Sequence, residues 1–428
     1  MGPFAKVVIF ILIISFGVFV TFFGRIPVLR HTPIGALHRT IWIHIPKFVT
    51  AVDQRLTGGR ITGGLSRGVN RMLYDRHPTV VVRLPDCWPS PTQLTRRIQI
   101  FFFALLFGGE YMFLPAAWPH MSWLAKLIAL IAIALPYTFL YLACGGDPGF
   151  ITAETHAYHM SLYPYDHALF HPGRYCETCK LLKPARSKHC SICKRCVAKA
   201  DHHCVFINLC VGHGNHRWFL SLLLSTAVLT SYGGLLGLSI LSGVIKNRFP
   251  DWSVWPPAGY GLNSYLVAWS WAMERDISLG ATTLFATLTS PLVWALLFYT
   301  LYHVYCGTTT NESLKWSELG EDMADGYAFT RPIRRGRERD FGIEPSCSRW
   351  PVEPEMVVIA TADGQPPVIR QGMPPIAGEG DWERVWKLKN VENMYDLGFR
   401  DNLADIFFRD YAFGRARDEL PFKSHHQC

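Results

Sequence analysis

The chain has 428 residues, of which 49% are hydrophobic, 14% aromatic and only 18% charged. That composition excludes a disordered or fibrous protein, and the shortage of charge relative to the roughly 25% of soluble domains points to a chain that faces lipid. The net charge of +9 is unevenly placed, so it does not by itself mark a nucleic-acid footprint.

In chain order, Val7 to Phe23 is almost purely apolar and just long enough to cross a hydrocarbon core of about 30 Å. It has no basic region beyond Lys6 and no small-residue cleavage site, so 1–23 reads as an uncleaved anchor and not as a signal peptide. The loop 24–97 carries twelve Lys/Arg against three Asp/Glu, which places it in the cytosol under the positive-inside rule. Two spans fill 98–144 (Ile98 to Trp118, Trp123 to Cys144). Two more fill 218–305 (Trp218 to Ile245, Leu279 to Tyr305), around a lumenal loop 246–278.

That alternation makes 145–217 and the tail 306–428 cytosolic. Their nine and sixteen basic residues agree, against three in the lumenal loop. The expected fold is therefore an α-helical integral membrane protein of about five spans, with a cysteine-rich domain between the third and fourth. Glu110, inside the second span, is either a functional carboxylate or a snorkelling residue near the lumenal face. Pro291 should kink the last span.

Seven of the twelve cysteines fall between Cys176 and Cys210, a metal-site pattern more than a disulfide framework. Cys176, Cys179, His189 and Cys196 follow the spacing C-x2-C-x9-H-x6-C, and Cys190, Cys193, His203 and Cys210 repeat it fourteen residues later. Each set offers three thiolates and one imidazole, the complement of a closed zinc site. A cytosolic location keeps these thiols reduced, and much of the local fold should come from metal binding.

Subtracting both sets leaves Asp201, His202 and Cys204 around the ligand His203. An acid, an imidazole and a thiol are the material of a nucleophilic site. In extended backbone His202 and Cys204 would share a face. The alternative is a spare cysteine, with Asp201 supporting the ligand His203 from behind.

Asp201-His202-His203-Cys204, within this segment and between spans, resembles the DHHC protein S-acyltransferases, the palmitoyltransferase family. Asp147-Pro148-Gly149 is similar to the family's DPG motif, Thr309-Thr310-Asn311-Glu312 to its TTxE motif, and Asn393 to Phe407 to its C-terminal motif. The resemblance implies that acyl-CoA acylates Cys204 and that the acyl group then passes to a substrate cysteine. His202 would be the general base and Asp201 its orienting partner. Thr309 or Thr310 would support Asp201, Asn402 would tie the tail to the core, and both zinc ions would be structural. Val205-Phe206 in place of Pro-Trp, and Leu209 in place of Asn, depart from the family pattern.

The N-terminal span, KPARSKHC (Lys183 to Cys190) and EYMFLPAAW (Glu110 to Trp118) are most similar to the fungal spore-wall-formation branch. That branch implies the endoplasmic reticulum membrane and substrate cysteines beside the transmembrane helices of SNARE-type proteins.

Burying a sixteen-carbon acyl chain stabilises by roughly 10 kcal/mol at about 0.8 kcal/mol per CH2, so a tent-like cavity among the spans is expected, with Cys204 at its cytosolic apex. Lys180, Lys183, Arg186, Lys188, Lys194, Arg195, Lys199 and Arg217 are candidates to meet the coenzyme A phosphates or lipid head groups equally. The tail from Arg331 to about Gly380 reads as irregular, and Trp382 to Phe408 as a short amphipathic helix that docks on the core or lies on the bilayer; the resemblance of the tail motif favours docking. A membrane-anchored zinc-finger scaffold without chemistry is the rival reading. Nucleic acid is not an expected partner, because the segment has only modest excess charge. A zinc hydrolase would need an open coordination position that two complete ligand sets do not leave.

Overall fold

A computed structural model describes residues 93–255, 261–334, 336–368, 377–408, 411 and 413. Before them it describes residues 16, 17, 20, 32–45, 48, 51, 52 and 55. Most of the expected anchor 1–23 and of the loop 24–97 therefore lies outside the described residues; within that loop, helix α1 (Pro33–Arg39) runs into a π-helical turn, Thr40–His44.

Four long helices follow: α2 (Gln93–Ala117), α3 (Trp123–Gly145), α5 (His216–Arg248) and α7 (Ile277–Tyr305). Among the described residues α3, α5 and α7 are long and apolar enough to cross a membrane, with mean hydropathies of 2.2, 1.7 and 1.6. Only 28%, 28% and 17% of their apolar windows are buried, so most of that surface needs lipid as its solvent. The chain is a helical membrane protein, and α2 coincides with the expected second span.

The described residues divide into two compact units, the first drawn from within 1–88, 92–137 and 223–296, the second from within 138–222 and 297–428. The first unit packs Ala117, Met121, Ala129, Leu241, Ile245 and Leu279 around a common core. Polar side chains join its helices: Tyr232 donates to the Ala125 carbonyl at 2.7 Å, Ser231 and Ser290 meet at 2.7 Å, and Trp294 Nε1 donates to Ser231 at 2.8 Å. The segment read as a lumenal loop instead contains α6 (Leu262–Arg275). Tyr265, Ala268, Trp269 and Ala272 recur at helical spacing and pack on the same core.

In the second unit α4 (His156–Leu162) precedes six short strands in three antiparallel hairpins. These are β1–β2 (Tyr175–Cys176, Leu181–Leu182), β3–β4 (Lys188–Cys190, Arg195–Val197) and β5–β6 (His202–Cys204, Leu209–Val211). Helix α8 (Thr310–Ala324) follows. The stretch 331–380, read as irregular, instead contributes strand Met356–Ala360 (β8) to a sheet of order β8-β7-β9, whose other strands are Ala328–Pro332 (β7) and Glu383–Arg384 (β9). The sheet's apolar residues Ala328, Val358 and Val385 close a core with Leu319 and Met323 of α8. Those strands pair across tens of residues, which a local turn signal does not reveal. Helix α9 (Phe399–Phe407) ends the described fold.

Candidate active site and metal centres

The three hairpins repeat one turn. Left-handed residues Lys180 (φ 55°), Lys194 (φ 57°) and Asn208 (φ 53°) recur fourteen positions apart. In the first two turns a backbone amide points at the leading sulfur: Cys179 N–H to Cys176 at 3.4 Å, Cys193 N–H to Cys190 at 3.3 Å. In the third, Cys204 holds the place of Cys176 and Cys190, and buried Ile207 holds that of Cys179 and Cys193. The third turn therefore presents one thiol without the second ligand that a zinc knuckle needs.

Ligand atoms of Cys176, Cys179, His189 and Cys196 lie within 4.8 Å of one another, as do those of Cys190, Cys193, His203 and Cys210. The sulfurs stand 3.5, 3.3 and 3.8 Å from His189 Nδ1 in the first set. In the second they stand 3.7, 3.4 and 3.7 Å from His203 Nδ1. Tetrahedral zinc, with bonds of about 2.3 Å to sulfur and about 2.0 Å to nitrogen, requires sulfur–nitrogen edges of roughly 3.5 Å. Both donor sets fit zinc, and neither leaves an open position.

Strand β5 separates the two kinds of residue in Asp-His-His-Cys. Its register sets His203 opposite Cys210, and His202 and Cys204 opposite Val211 and Leu209. Side chains alternate along a strand, so His203 joins the metal set on one face while His202 and Cys204 share the other. His202 Nδ1 donates to Asp201 Oδ2 at 2.5 Å, and its ring meets Phe219 edge-on at 5.3 Å. Burial works against charge on His202, but hydrogen bonds to Asp201 and Cys204 outweigh it and raise its pKa to about 10. Burial would raise the Asp201 carboxyl, yet the His202 bond and charge, with the Thr310 amide, hold it well below the usual carboxylate range.

Thr310 supports Asp201 twice, its amide at 2.6 Å from Oδ1 and its hydroxyl at 3.0 Å from Oδ2. Thr309 donates to the Ala200 carbonyl at 3.2 Å and caps α8, exchanging hydrogen bonds with Glu312 in a capping box. Glu312 also accepts two bonds from the Arg186 guanidinium, at 2.7 and 2.6 Å. Arg186 further donates to the Gly307 carbonyl at 2.9 Å and lies over the Tyr163 and Tyr395 rings.

Two further motifs fasten the segment. Asp147 Oδ1 accepts the Gly149 and Phe150 amides at 3.0 and 2.9 Å, and Gly149 (φ +95°) turns so that its carbonyl accepts the Ala198 amide. Asn402 of α9 donates to the Val304 carbonyl at 3.0 Å, and Asn393 to that of Cys306 at 2.9 Å. Both satisfy carbonyls left open at the end of α7.

Sequence reasoning missed Asp405, one helical turn beyond Asn402. It is buried and accepts from Lys199 at 2.5 Å, from Tyr163 at 2.7 Å and from Arg349. Its position within the tail motif was the only available hint, since its partners lie far away in the chain. Two of the eight candidate phosphate-binding cations are therefore withdrawn. Arg186 and Lys199 are buried and committed to Glu312 and Asp405. Lys180, Lys194 and Arg195 remain exposed, as does Lys188, whose ammonium reaches Asn311.

In the first unit Glu110 accepts from Tyr137 at 2.7 Å. Glu110 also lines an apolar cavity of about 110 Å³ with residues of α2, α3, α5 and α7.

The DHHC palmitoyltransferase family pattern matches residues 169–317. The chain is also 49% identical, over 98% of its length, to palmitoyltransferase SWF1 of Neurospora crassa, and covers 96% of that protein. The chain belongs to the DHHC palmitoyltransferase family, in its SWF1 branch. Palmitoyltransferase swf1 of Emericella nidulans is 39% identical over 97% of the chain and 99% of that protein. That of Aspergillus fumigatus is 40% identical over 72% of the chain and 85% of that protein. The stretch matched to the DHHC family contains both zinc-fitting sets, Asp201 to Cys204, and Thr309 to Glu312. Asp147 and Asn402 fall outside it, within the span of the near full-length relatives.

Proposed function

We propose that the protein is an S-palmitoyltransferase that takes a long-chain acyl group from acyl-CoA onto Cys204. It then passes the group to juxtamembrane cysteines of membrane proteins, SNARE-type proteins among them, at the cytosolic face of the endoplasmic reticulum. Residues 145–217 are the catalytic domain, framed by the spans in 98–144 and 218–305, with the tail 306–428 docked on it.

With the proton on His202, Cys204 attacks the acyl-CoA thioester carbonyl as a thiolate. The carbonyl carbon–sulfur bond to coenzyme A breaks as the new one forms, and His202 returns its proton to the departing thiolate. In the second half His202 takes the proton of the substrate thiol, whose sulfur attacks acyl-Cys204 and releases the Cys204 thiolate. Thioester exchange between thiols is nearly balanced in free energy, so the protein contributes mainly a thiolate and the juxtaposition of two apolar reactants. Asp201, fixed by Thr310, orients His202 and stabilises its cation.

One observation carries this reading: His202 and Cys204 share the face of β5 away from the metal ligands, with Asp201 2.5 Å from the imidazole. The exposed Lys180, Lys194 and Arg195 supply cations for the coenzyme A phosphates. The test is to incubate detergent-solubilised protein with fluorescent palmitoyl-CoA, wild type beside Cys204→Ser, and to measure zinc in both. A hydroxylamine-labile label on wild type, absent from a zinc-replete variant, is expected. Equal labelling of both would overturn the assignment of Cys204. Transfer from labelled protein to a reconstituted single-span protein with a juxtamembrane cysteine, and not to its serine variant, tests the substrate class.

A further inference from the structure

The first unit holds a second, larger cavity of about 550 Å³, within the size range of small-ligand pockets. Arg248, Arg275 and His120 line it together with Leu241, Trp271 and Leu279. It lies where α5 and α6 end, α7 begins and the turn Trp118–His120 joins α2 to α3. Arg248 is the last residue of the 33-residue α5.

Both guanidiniums rest on aromatic rings, Arg248 on Phe249 at 5.5 Å and Arg275 on Trp271 at 5.7 Å. Neither makes an ion pair or hydrogen bond with the described residues. The one acid in the wall, Asp276, already accepts the Leu279 amide at 2.9 Å as the cap of α7.

A cation in the last turn of a helix is favoured by the helix dipole, which accounts for each arginine separately. It does not account for two of them and a histidine converging on one cavity. On the topology read from the sequence, the loop 246–278 is lumenal, the side on which basic residues are disfavoured. It carries only Lys246, Arg248 and Arg275, and two of these three open onto this cavity. Val244 of α5, a helix long and apolar enough to span a membrane, adds a half-buried apolar side chain to the wall, with Leu241 and Leu279 buried in the core behind it.

We propose that this cavity binds an anionic phospholipid, with the phosphate between Arg248 and Arg275 and the acyl chains passing the half-buried Val244 and Trp271. Arginine suits the phosphate because its planar fork matches the oxygens, and Trp271 suits the glycerol level, where aromatic rings prefer to lie. The site shares no residue with the chemistry assigned to Cys204.

The test uses the full chain, delipidated in detergent and offered equal amounts of phosphatidylinositol and phosphatidylcholine, with bound lipid counted by native mass spectrometry. Wild type should retain phosphatidylinositol with about tenfold preference. Arg248→Gln/Arg275→Gln should bind the two lipids equally while keeping its zinc, and Lys246→Gln, outside the cavity, should behave as wild type. Should the double variant lose zinc, each single variant is measured in its place, and each should lose several-fold of the preference.

No preference in wild type, or a preference that survives the variants, overturns the proposal. Complete displacement of the lipid by inorganic phosphate, but not by chloride at matched ionic strength, overturns it in favour of a site for the free anion.

Discussion

His202 and His203 are adjacent on β5, yet one imidazole meets Asp201 at 2.5 Å and the other stands among the sulfurs of Cys190, Cys193 and Cys210. The alternation of the strand makes this division, so the two residues should respond differently to the same substitution. His202→Ala should keep two zinc ions and lower the rate of Cys204 acylation by ~10²–10⁴-fold. His203→Ala should lose one zinc and with it the fold of the segment. Metal content beside single-turnover labelling separates them; equal zinc loss in both would refute the division.

Thr310 joins the start of α8 to Asp201, the partner of His202. Thr310→Ala removes the 3.0 Å hydroxyl bond to Asp201 and leaves the 2.6 Å amide bond. The expected loss in acylation rate is about tenfold, the scale of one hydrogen bond to a charged group, with zinc content and thermal stability nearly unchanged. Thr310→Ser should restore most of the rate, a rescue that a purely structural role for the methyl group would not give.

Breaking the Arg186–Glu312 pair should be far more costly than losing the threonine. Both side chains are almost fully buried, 2% and 1% exposed, so Glu312→Ala leaves an uncompensated guanidinium and should destabilise by about 3–5 kcal/mol. The paired substitution Arg186→Met/Glu312→Leu should recover much of that loss. Denaturant unfolding of the zinc-loaded protein is the measurement.

Asp405 makes tail docking pH-dependent. Burial alone would raise its carboxyl, but the charges of Lys199 and Arg349 hold it well below the usual range. A depressed carboxyl contributes stability that is present above the unfolded value of about 4 and lost as pH falls below it. Hydrogen exchange of residues 399–407 should therefore accelerate as pH falls below about 4, after correction for the intrinsic rate. Asp405→Asn should show fast exchange already at neutral pH and no such step. Recording zinc content at each pH distinguishes this from metal loss.

Removing zinc should act on the segment as a whole. Chelation should abolish Cys204 labelling together with the hairpins, while the helix content of the spans persists in circular dichroism. Labelling that survives full chelation would exclude a structural role for the metal.

The two zinc-fitting sets were legible in the sequence because knuckle ligands lie within about twenty residues of one another and repeat at a fixed offset. Subtracting them isolated Cys204, His202 and Asp201. The spans were legible because apolar length is itself the signal. Helix α6 was missed because, at 14 residues, it is too short to register as a span. The tail sheet was missed because β7 pairs with β8 and β9 across long connections.

What the sequence by itself determined about this protein is therefore its local chemistry: which residues carry thiol, imidazole and carboxylate, and in what spacing. Tertiary structure alone decided which charges are spent on holding that chemistry in place. Arg186 meets Glu312 across 126 positions, and Asp405 meets Lys199 across 206. No short-range pattern encodes such pairs, because a buried charge needs only an opposite charge nearby in space, and the folded chain chooses which one that is.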